Sequence, residues 1–117
     1  MKRAGQIALM PFPYTNLAQS KKRPVLLLRQ LNEAWDDWLV CMVSSQLRQA
    51  NPDLDWICTP DDDAFPVSGL KVASAFRLSR LAVLDGELML GQLGAIPDQR
   101  LHQLRRRLAG WIARDHN

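Results

Sequence analysis

Short apolar runs, broken by prolines, glycines and polar residues, most limit what this 117-residue chain can fold into. Short runs of this kind are typical of β-strands, and a run that is apolar at every position suits a strand buried on both faces. We therefore predict strands at Ile7–Met10, Val25–Leu28, Trp38–Val43 and Trp56–Cys58. Leu70–Phe76 and Arg77–Leu84 supply further strand material, with Ser74-Ala75 as a candidate register break.

The connections between these strands carry turn signals. Pro11–Asn16 holds two prolines and an asparagine, which predicts a loop that continues to Lys22. Pro24 stands at the start of the next strand, where its missing N–H group is tolerated. The Asp85-Gly86 pair predicts a hairpin turn, after which Leu88–Leu90 pairs back.

Apolar residues recur every three or four residues in the C-terminal tail. That period predicts a helix of about 16 residues beginning near Pro97 and Asp98, whose carboxylate favours the positive helix end. Its apolar face carries Leu101, Leu104, Leu108, Trp111 and Ile112, and its opposite face carries Arg100, Arg105, Arg107 and Arg114. Several strands followed by one helix predict a mainly β fold with α: a small, partly open β-barrel capped by the helix.

The net charge of +3 conceals an uneven distribution of charged residues. Residues 1–31 carry six basic side chains and no acidic one, residues 32–63 have a balance of −7, and residues 64–117 a balance of +4. A surface of two signs is compatible with a nucleic-acid face and a separate acidic face. The chain length fits a single domain over residues 1–117.

Residue counts exclude several classes of protein. Cys41 and Cys58 are too few for a disulfide framework or a cysteine-rich zinc site. His102 and His116 both lie near the C-terminus, which excludes a multi-histidine metal centre and a histidine-based triad. The run Asp61–Asp63 offers oxygen ligands for Mg²⁺ or Ca²⁺, although a solvated turn is the more usual reading. No apolar run can cross a bilayer and the start is a poor signal peptide, so we expect a cytoplasmic protein.

Arg23 is the residue that its neighbours single out. It follows Lys21 and Lys22 and stands beside Pro24, where a loop enters the apolar strand. A planar guanidinium fork at a defined position suits a phosphate group. A charge on an edge strand or a surface ion pair is the alternative, and the residues alone leave both open.

Several sequence blocks occur in an order that resembles the MazF/PemK family of toxin ribonucleases. The blocks are Gly5–Ile7, Pro11–Asn16, Lys22–Leu28, Trp38–Ser45, Ser68–Leu70, Ser74–Arg77, Leu81 and Leu90–Leu93 with the closing helix. The Lys-Arg-Pro block with the Phe-Pro-Tyr-Thr-Asn loop is the most specific of them. The resemblance covers nearly the whole chain, as one MazF/PemK-like domain.

This resemblance implies a fold, an activity and partners. The fold is an SH3-like barrel related to CcdB, and the active form is a homodimer. The implied activity is cytoplasmic cleavage of single-stranded messenger RNA without a metal or other cofactor. A cognate antitoxin is expected to wrap the dimer and block the site, and the toxin–antitoxin complex is expected to contact operator DNA.

The family's functional residues are carried over where this sequence matches its motifs. The catalytic arginine precedes a proline at the start of the second strand, and Arg23 matches it. The serine or threonine that ends the third strand corresponds to Ser44, with Ser45 as the alternative, and the later arginine corresponds to Arg77. The resemblance further implies an RNA groove lined by Phe12, Tyr14, Thr15, Asn16, Lys21, Lys22 and Ser45.

The implied chemistry uses the RNA 2′-hydroxyl as nucleophile and leaves a 2′,3′-cyclic phosphate and a 5′-hydroxyl. Arginine and serine suit it because both donate hydrogen bonds to phosphoryl oxygens, and aromatic rings can stack on unpaired bases. The sequence departs from the family pattern at two places. Some members carry a histidine in the first loop and an aspartate two residues after the later arginine. Here that loop has no histidine and no acid, and Ser79 stands two residues after Arg77. No conventional general base is evident.

Two other functions stay open. A CcdB-like inhibitor of DNA gyrase has the same fold, although the Lys22-Arg23-Pro24 block argues against it. A catalytically weak relative that only binds nucleic acid, such as a repressor subunit, is the second alternative. In the ribonuclease reading, the acidic middle segment is expected to lie away from the RNA or at the rim of its groove.

Overall fold

The structure is a computed structural model that describes residues 2–13 and 20–115. The six strands are β1 (Gln6–Pro13), β2 (Ser20–Asn32), β3 (Asp37–Ser44), β4 (Trp56–Cys58), β5 (Ser74–Asp85) and β6 (Gly91–Ala95). They form one antiparallel sheet in the order β4-β5-β3-β2-β1-β6. The helices are α1 (Phe65–Ser68) and α2 (Asp98–Ala113), with single 3₁₀ turns at Leu47–Gln49 and Gly86–Leu88. The predicted mainly β fold with a C-terminal helix is confirmed, and within the described ranges the outer strands β4 and β6 do not pair to close the sheet.

One side of the sheet, called the helix face, packs against α2. It is formed by Ile7, Leu26, Leu28, Cys41, Val43, Phe76 and Leu78. Leu101, Leu104 and Leu108 of α2 are buried in the same cluster, as their spacing predicted. Ile112 is 70% exposed, so its assignment to the apolar helix face was wrong: it lies beyond Leu108, the last buried residue of the helix. No helix in residues 2–13 and 20–115 is long and apolar enough to span a membrane.

Two arginines of α2 donate hydrogen bonds to backbone carbonyl groups outside the helix. Arg105 donates from Nε to the carbonyl oxygen of Leu28 at 2.8 Å. Arg107 donates from Nη1 to the carbonyl oxygen of Asp55 at 3.3 Å. These bonds satisfy one carbonyl group at the β2 bulge and one just before β4, and they attach α2 to the helix face.

The opposite side of the sheet, called the far face, is also apolar. It is formed by Ala8, Met10, Phe12, Val25, Leu27, Trp38 and Val40. Bulges between Leu27 and Arg29 and between Cys41 and Met42 interrupt the strand register and bend the strands. Ala82, Leu84 and Met89, from later in the chain, pack against this face and cover part of it. Burial on both faces explains why Val25–Leu28 is apolar at every position.

The first two strands extend further than their prolines suggested. Pro11 pairs with Lys22 and Pro13 with Ser20, so the predicted loop was wrong over Pro11–Pro13. β6 pairs with β1 only as far as Leu9. Beyond that point β1 is an edge strand, where a proline removes no ladder hydrogen bond. The rest of the predicted loop that concerns RNA, namely Tyr14, Thr15 and Asn16, lies outside the described residues.

The predicted hairpin at Asp85-Gly86 is wrong. A type I′ turn needs positive φ at both central residues, but Asp85 has a φ of −69° and Gly86 is not among the residues with positive φ. The Asp85 carboxylate accepts a hydrogen bond from the Glu87 N–H at 2.9 Å and starts a 3₁₀ turn instead. The chain then crosses to the other edge of the sheet, where β6 pairs with β1.

β5 begins at Ser74, later than the predicted Leu70. Gly69 ends α1 in the left-handed conformation, with a φ of 74°, and a Cβ atom there would overlap the Leu93 carbonyl group of β6. This close approach holds α1 against β6, at one edge of the sheet. Residues 70–73 then connect α1 to β5, which lies next to the opposite edge, so they are not part of the strand.

The two cysteines are buried and free. Burial raises the pKa of the Cys41 thiol, and the negative charge of Asp55 raises it further. Burial, with a contribution from Asp62, raises the pKa of Cys58 to about 11. Both therefore stay protonated at neutral pH.

Candidate functional site

Four strand termini meet at one end of the sheet, called the site end. β1 approaches this end at Phe12 and β2 leaves it at Lys21, and these two residues pair. β3 ends there at Ser44, which pairs with Ala75 near the start of β5. The antiparallel order therefore brings together parts of the chain that are far apart in sequence.

Arg23 and Ser44 stand on neighbouring strands at the site end. The last registered β2–β3 pair is Val25 with Met42, and two more residues along each strand lead to Arg23 and Ser44. Neighbouring strands lie about 4.8 Å apart. Side chains alternate along a strand. Arg23 therefore shares the far face with Val25. Val43 is on the helix face, so the next residue, Ser44, is on the far face.

Arg77 stands on the next strand and on the same face. It pairs with Met42, which packs against the far-face cluster, whereas its neighbours Phe76 and Leu78 belong to the helix face. Two strand spacings, or about 10 Å, separate β5 from β2. The structure thus brings the three predicted catalytic residues, Arg23, Ser44 and Arg77, to one face and one end of the sheet.

The predicted RNA-binding residues differ in exposure and in the face of the sheet on which they lie. Lys21 and Lys22 are exposed, and alternation puts Lys21 on the far face with Arg23 but Lys22 on the other side. Phe12 is 5% exposed and its ring belongs to the far-face cluster, which leaves little ring surface for stacking on a base. Ser45 is exposed and follows the last residue of β3.

The two candidate serines differ in position and bonding. Ser44 is buried, and its Oγ accepts a hydrogen bond from the Gln46 N–H at 3.1 Å. That bond fixes the hydroxyl oxygen, and the hydroxyl hydrogen can donate elsewhere. Ser45 uses its carbonyl oxygen to accept from the Leu47 N–H at 3.0 Å. The geometry favours Ser44 over Ser45 as a donor to a ligand on the far face.

Asp55 lies at the site but was not among the residues predicted from the sequence. Its carboxylate lies against Arg77, with 3.5 Å between Oδ2 and the arginine Nε. Arg77 is itself buried and donates from Nη2 to the carbonyl oxygen of Gln49 at 2.9 Å. The one sequence signal was an acidic residue between the apolar Leu54 and Trp56, both of which are buried.

The remaining candidate groups lie on the helix side of the sheet. His102 is exposed on α2, and His116 lies outside the described residues. The Asp62 carboxylate accepts from the Ala64 N–H at 2.8 Å and pairs with Arg100 of α2 at 3.5 Å. Asp62 of the acidic run therefore lies beside α2, whereas Asp55, which belongs to the same acidic middle segment, lies beside Arg77. No group of three potential metal ligands occurs within residues 2–13 and 20–115.

A family model described as PemK-like, MazF-like toxin of type II toxin-antitoxin system matches residues 3–112 of the chain. No curated protein matches this chain. The match spans every strand and all but the last residue of α2.

Several solved structures have the same fold as this chain. An endoribonuclease in complex with its cognate antitoxin, from Mycobacterial species, has a TM-score of 0.67 at 13% identity and covers 100% of both chains. A MazE–MazF structure from Deinococcus radiodurans has a TM-score of 0.68 at 19% identity, covering 97% of this chain and 98% of that one. Mycobacterium tuberculosis toxin MazF-mt6 has a TM-score of 0.59 at 15% identity, covering 93% and 99%.

Proposed function

The chain belongs to the family of PemK-like, MazF-like toxins of type II toxin–antitoxin systems, and on that premise we propose that it cleaves single-stranded messenger RNA internally. The observation that supports this most is the grouping of Arg23, Ser44 and Arg77 on the far face at the site end. Two guanidinium groups and a hydroxyl are all donors to phosphoryl oxygens. The three side chains stand on three neighbouring strands, β2, β3 and β5.

The proposed reaction is a transesterification within the RNA. The 2′-oxygen forms a bond to phosphorus while the bond from phosphorus to the 5′-oxygen breaks, which leaves a 2′,3′-cyclic phosphate. The 2′-hydroxyl loses its proton and the departing 5′-oxygen gains one. Arg23 stabilises the charge that develops on the phosphoryl oxygens, and Ser44 helps to orient the phosphate. An arginine is a poor proton acceptor because of its high pKa, so we assign Arg23 an electrostatic role, and the proposed reaction uses no metal.

Basic residues near the site suit binding of the RNA backbone. Lys21 is exposed and shares the far face with Arg23, and residues 1–31 contain no acid to oppose phosphate. Binding through phosphates weakens as the salt concentration rises. We propose that Lys21 contacts the RNA backbone next to Arg23, and Lys22, Ser45, Tyr14, Thr15 and Asn16 stay predicted groove residues.

Partners follow from the family and from two of the similar structures. One of those structures is an endoribonuclease with its cognate antitoxin, and another is a MazE–MazF structure. We propose that this chain acts as a cytoplasmic homodimer that a cognate antitoxin neutralises. Contact with operator DNA would occur through the toxin–antitoxin complex.

Cleavage of RNA in the presence of EDTA tests the proposed function. Folded protein incubated with single-stranded RNA is expected to yield discrete fragments whose formation chelation leaves unchanged. Intact RNA would contradict the proposal. Inhibition of DNA supercoiling in a gyrase assay, with RNA intact, would support the CcdB-like alternative, and binding of RNA without cleavage would support a catalytically weak relative.

Substitution of the two serines separates their roles. Ser44→Ala is expected to lower kcat on the order of 100-fold, because it removes one donor that stabilises the transition state. Ser45→Ala, the matched control one residue away, is expected to stay within about threefold, as for other exposed positions. The measurement is the rate of cleavage of a fluorescent oligonucleotide under single-turnover conditions. A larger loss with Ser45→Ala than with Ser44→Ala would reverse the assignment.

A further inference from the structure

The carboxylate of Asp55 is buried at the edge of β5. Its side chain is 0% exposed. Oδ1 accepts a hydrogen bond from the Ser79 N–H at 2.9 Å, and Oδ2 accepts from Ser79 Oγ at 2.8 Å and from the Asn51 N–H at 2.8 Å. Three donors and a nearby guanidinium compensate for removing the charge from water. A carboxylate so enclosed has a fixed position.

The backbone around Asp55 is fixed as well. The N–H groups of Leu54 and Asp55 both donate to the carbonyl oxygen of Asn51, at 3.2 and 2.8 Å. Asn51 Oδ1 accepts from the Asp53 N–H at 2.9 Å, which completes a compact turn. Arg107 of α2 donates to the carbonyl oxygen of Asp55. The turn is thus attached to both β5 and α2.

Arg77 is oriented by this turn and by the 3₁₀ turn that precedes it. Its Nη2 donates to the Gln49 carbonyl oxygen at 2.9 Å, and its Nε lies 3.5 Å from Asp55 Oδ2. The Nη2 hydrogen bond fixes one corner of the planar group, and the charge of Asp55 attracts the Nε side through an ion pair that is not a hydrogen bond. A long arginine side chain otherwise has many rotamers, whose loss on binding costs affinity and alignment.

From this geometry we propose that Asp55 is a positioning residue, which orients the Arg77 guanidinium toward the phosphate of the RNA. The inference rests on the proposed function of the far-face site. Asp55 has no solvent exposure and its oxygens already accept three hydrogen bonds, so it acts through Arg77 and does not contact the substrate. The sequence does not show this relation, because the two positions are 22 apart in the numbering.

Isosteric replacement tests the proposal in the full chain. Asp55→Asn keeps the side-chain shape but removes the charge beside Arg77 and exchanges one acceptor oxygen for an NH2 donor. Asp53→Asn is a matched control at an exposed position of the same turn. Asp55→Asn is expected to lower kcat about 10- to 100-fold with KM within about threefold, since small misplacements of a catalytic group reduce the rate by such factors. Asp53→Asn is expected to retain wild-type kinetics. A wild-type kcat for Asp55→Asn would overturn the proposal.

A double-mutant cycle separates positioning from general destabilisation. If Asp55 acts through Arg77, then Asp55→Asn is expected to lower kcat no further when Arg77→Ala is already present. Additive losses would contradict the proposal. Should Asp55→Asn fail to fold, Ser79→Ala replaces it, with an expected loss of about 3- to 10-fold from removal of one hydrogen bond to the carboxylate. An unchanged kcat for Ser79→Ala would then overturn it.

A spectroscopic measurement keeps the proposal testable apart from activity. The NMR order parameter of the Arg77 Nε–H group is expected to be about 0.85 in the wild type and below about 0.6 in Asp55→Asn, or in Ser79→Ala if that variant replaces it. Arg77→Lys assigns the signal. Equal order parameters in the wild type and the variant would overturn the positioning role even if RNA is cleaved. A wild-type protein with an ordered Arg77 that leaves RNA intact would refute the proposed function alone.

Discussion

Arg23→Ala is expected to lower kcat/KM for RNA cleavage by about 1,000-fold, because it removes the guanidinium assigned to the developing phosphate charge. Loss of a single preorganised donor has effects of this order in enzymes that stabilise an oxyanion, and here the lost donor is also a cation. The measurement is single-turnover cleavage of an oligonucleotide, with circular dichroism to verify that the variant is folded.

Two further variants show whether the charge or the geometry of Arg23 matters. Arg23→Lys keeps the charge but loses the planar fork, so we expect it to recover only part of the activity. Lys22→Ala is the matched control, since Lys22 is the adjacent exposed cation and alternation directs it away from the far face. A loss for Lys22→Ala as large as that for Arg23→Ala would mean that the neighbouring charges only attract RNA.

Phe76→Ala is expected to lower the free energy of unfolding by about 3–5 kcal/mol, which is typical for removal of a large buried aromatic ring. Phe76 is fully buried on the helix face, and its ring stacks on Trp56 with 4.6 Å between centroids. That contact joins β4 to β5, the strand that also carries Arg77. Urea denaturation followed by tryptophan fluorescence measures the change.

Val83→Ala is the matched control for Phe76→Ala on the same strand. Val83 is 57% exposed, so its truncation is expected to change the free energy of unfolding by no more than about 0.5 kcal/mol. A loss below about 1 kcal/mol for Phe76→Ala would contradict the packing described for the helix face. The comparison also separates the effects of burial from those of shortening a side chain in β5.

Local patterns predicted the elements that local physics determines. The strands at Trp38–Val43 and Trp56–Cys58 and the helix over Asp98–Ala113 are confirmed, because each has an uninterrupted apolar pattern. The prediction of a loop at Pro11–Pro13 was wrong because proline is tolerated in an edge strand, and the sequence does not reveal which strand lies at an edge. The hairpin at Asp85-Gly86 failed for a related reason: a dipeptide with turn propensity also suits a 3₁₀ turn.

The site residues also divide into those that local patterns predict and those that depend on long-range contacts. Arg23 precedes the apolar run of β2 and Ser44 ends β3, so pairing of consecutive antiparallel strands was enough to bring them together. Asp55 depends on a long-range contact with β5, and no local pattern encodes such a contact. The bonds from Arg105 and Arg107 to the sheet are of the same kind, and a helical wheel shows these residues only as charges.

The central claim is that the RNA supplies its own nucleophile at the Arg23 site. The most direct test compares an oligoribonucleotide with an otherwise identical one that carries a single 2′-deoxy sugar on the 5′ side of the cleaved bond. We expect the all-RNA substrate to give a 2′,3′-cyclic phosphate and a 5′-hydroxyl in EDTA, and the deoxy-substituted substrate to stay intact at that bond. Cleavage of the deoxy-substituted bond, or products with 5′-phosphate ends, would contradict the account.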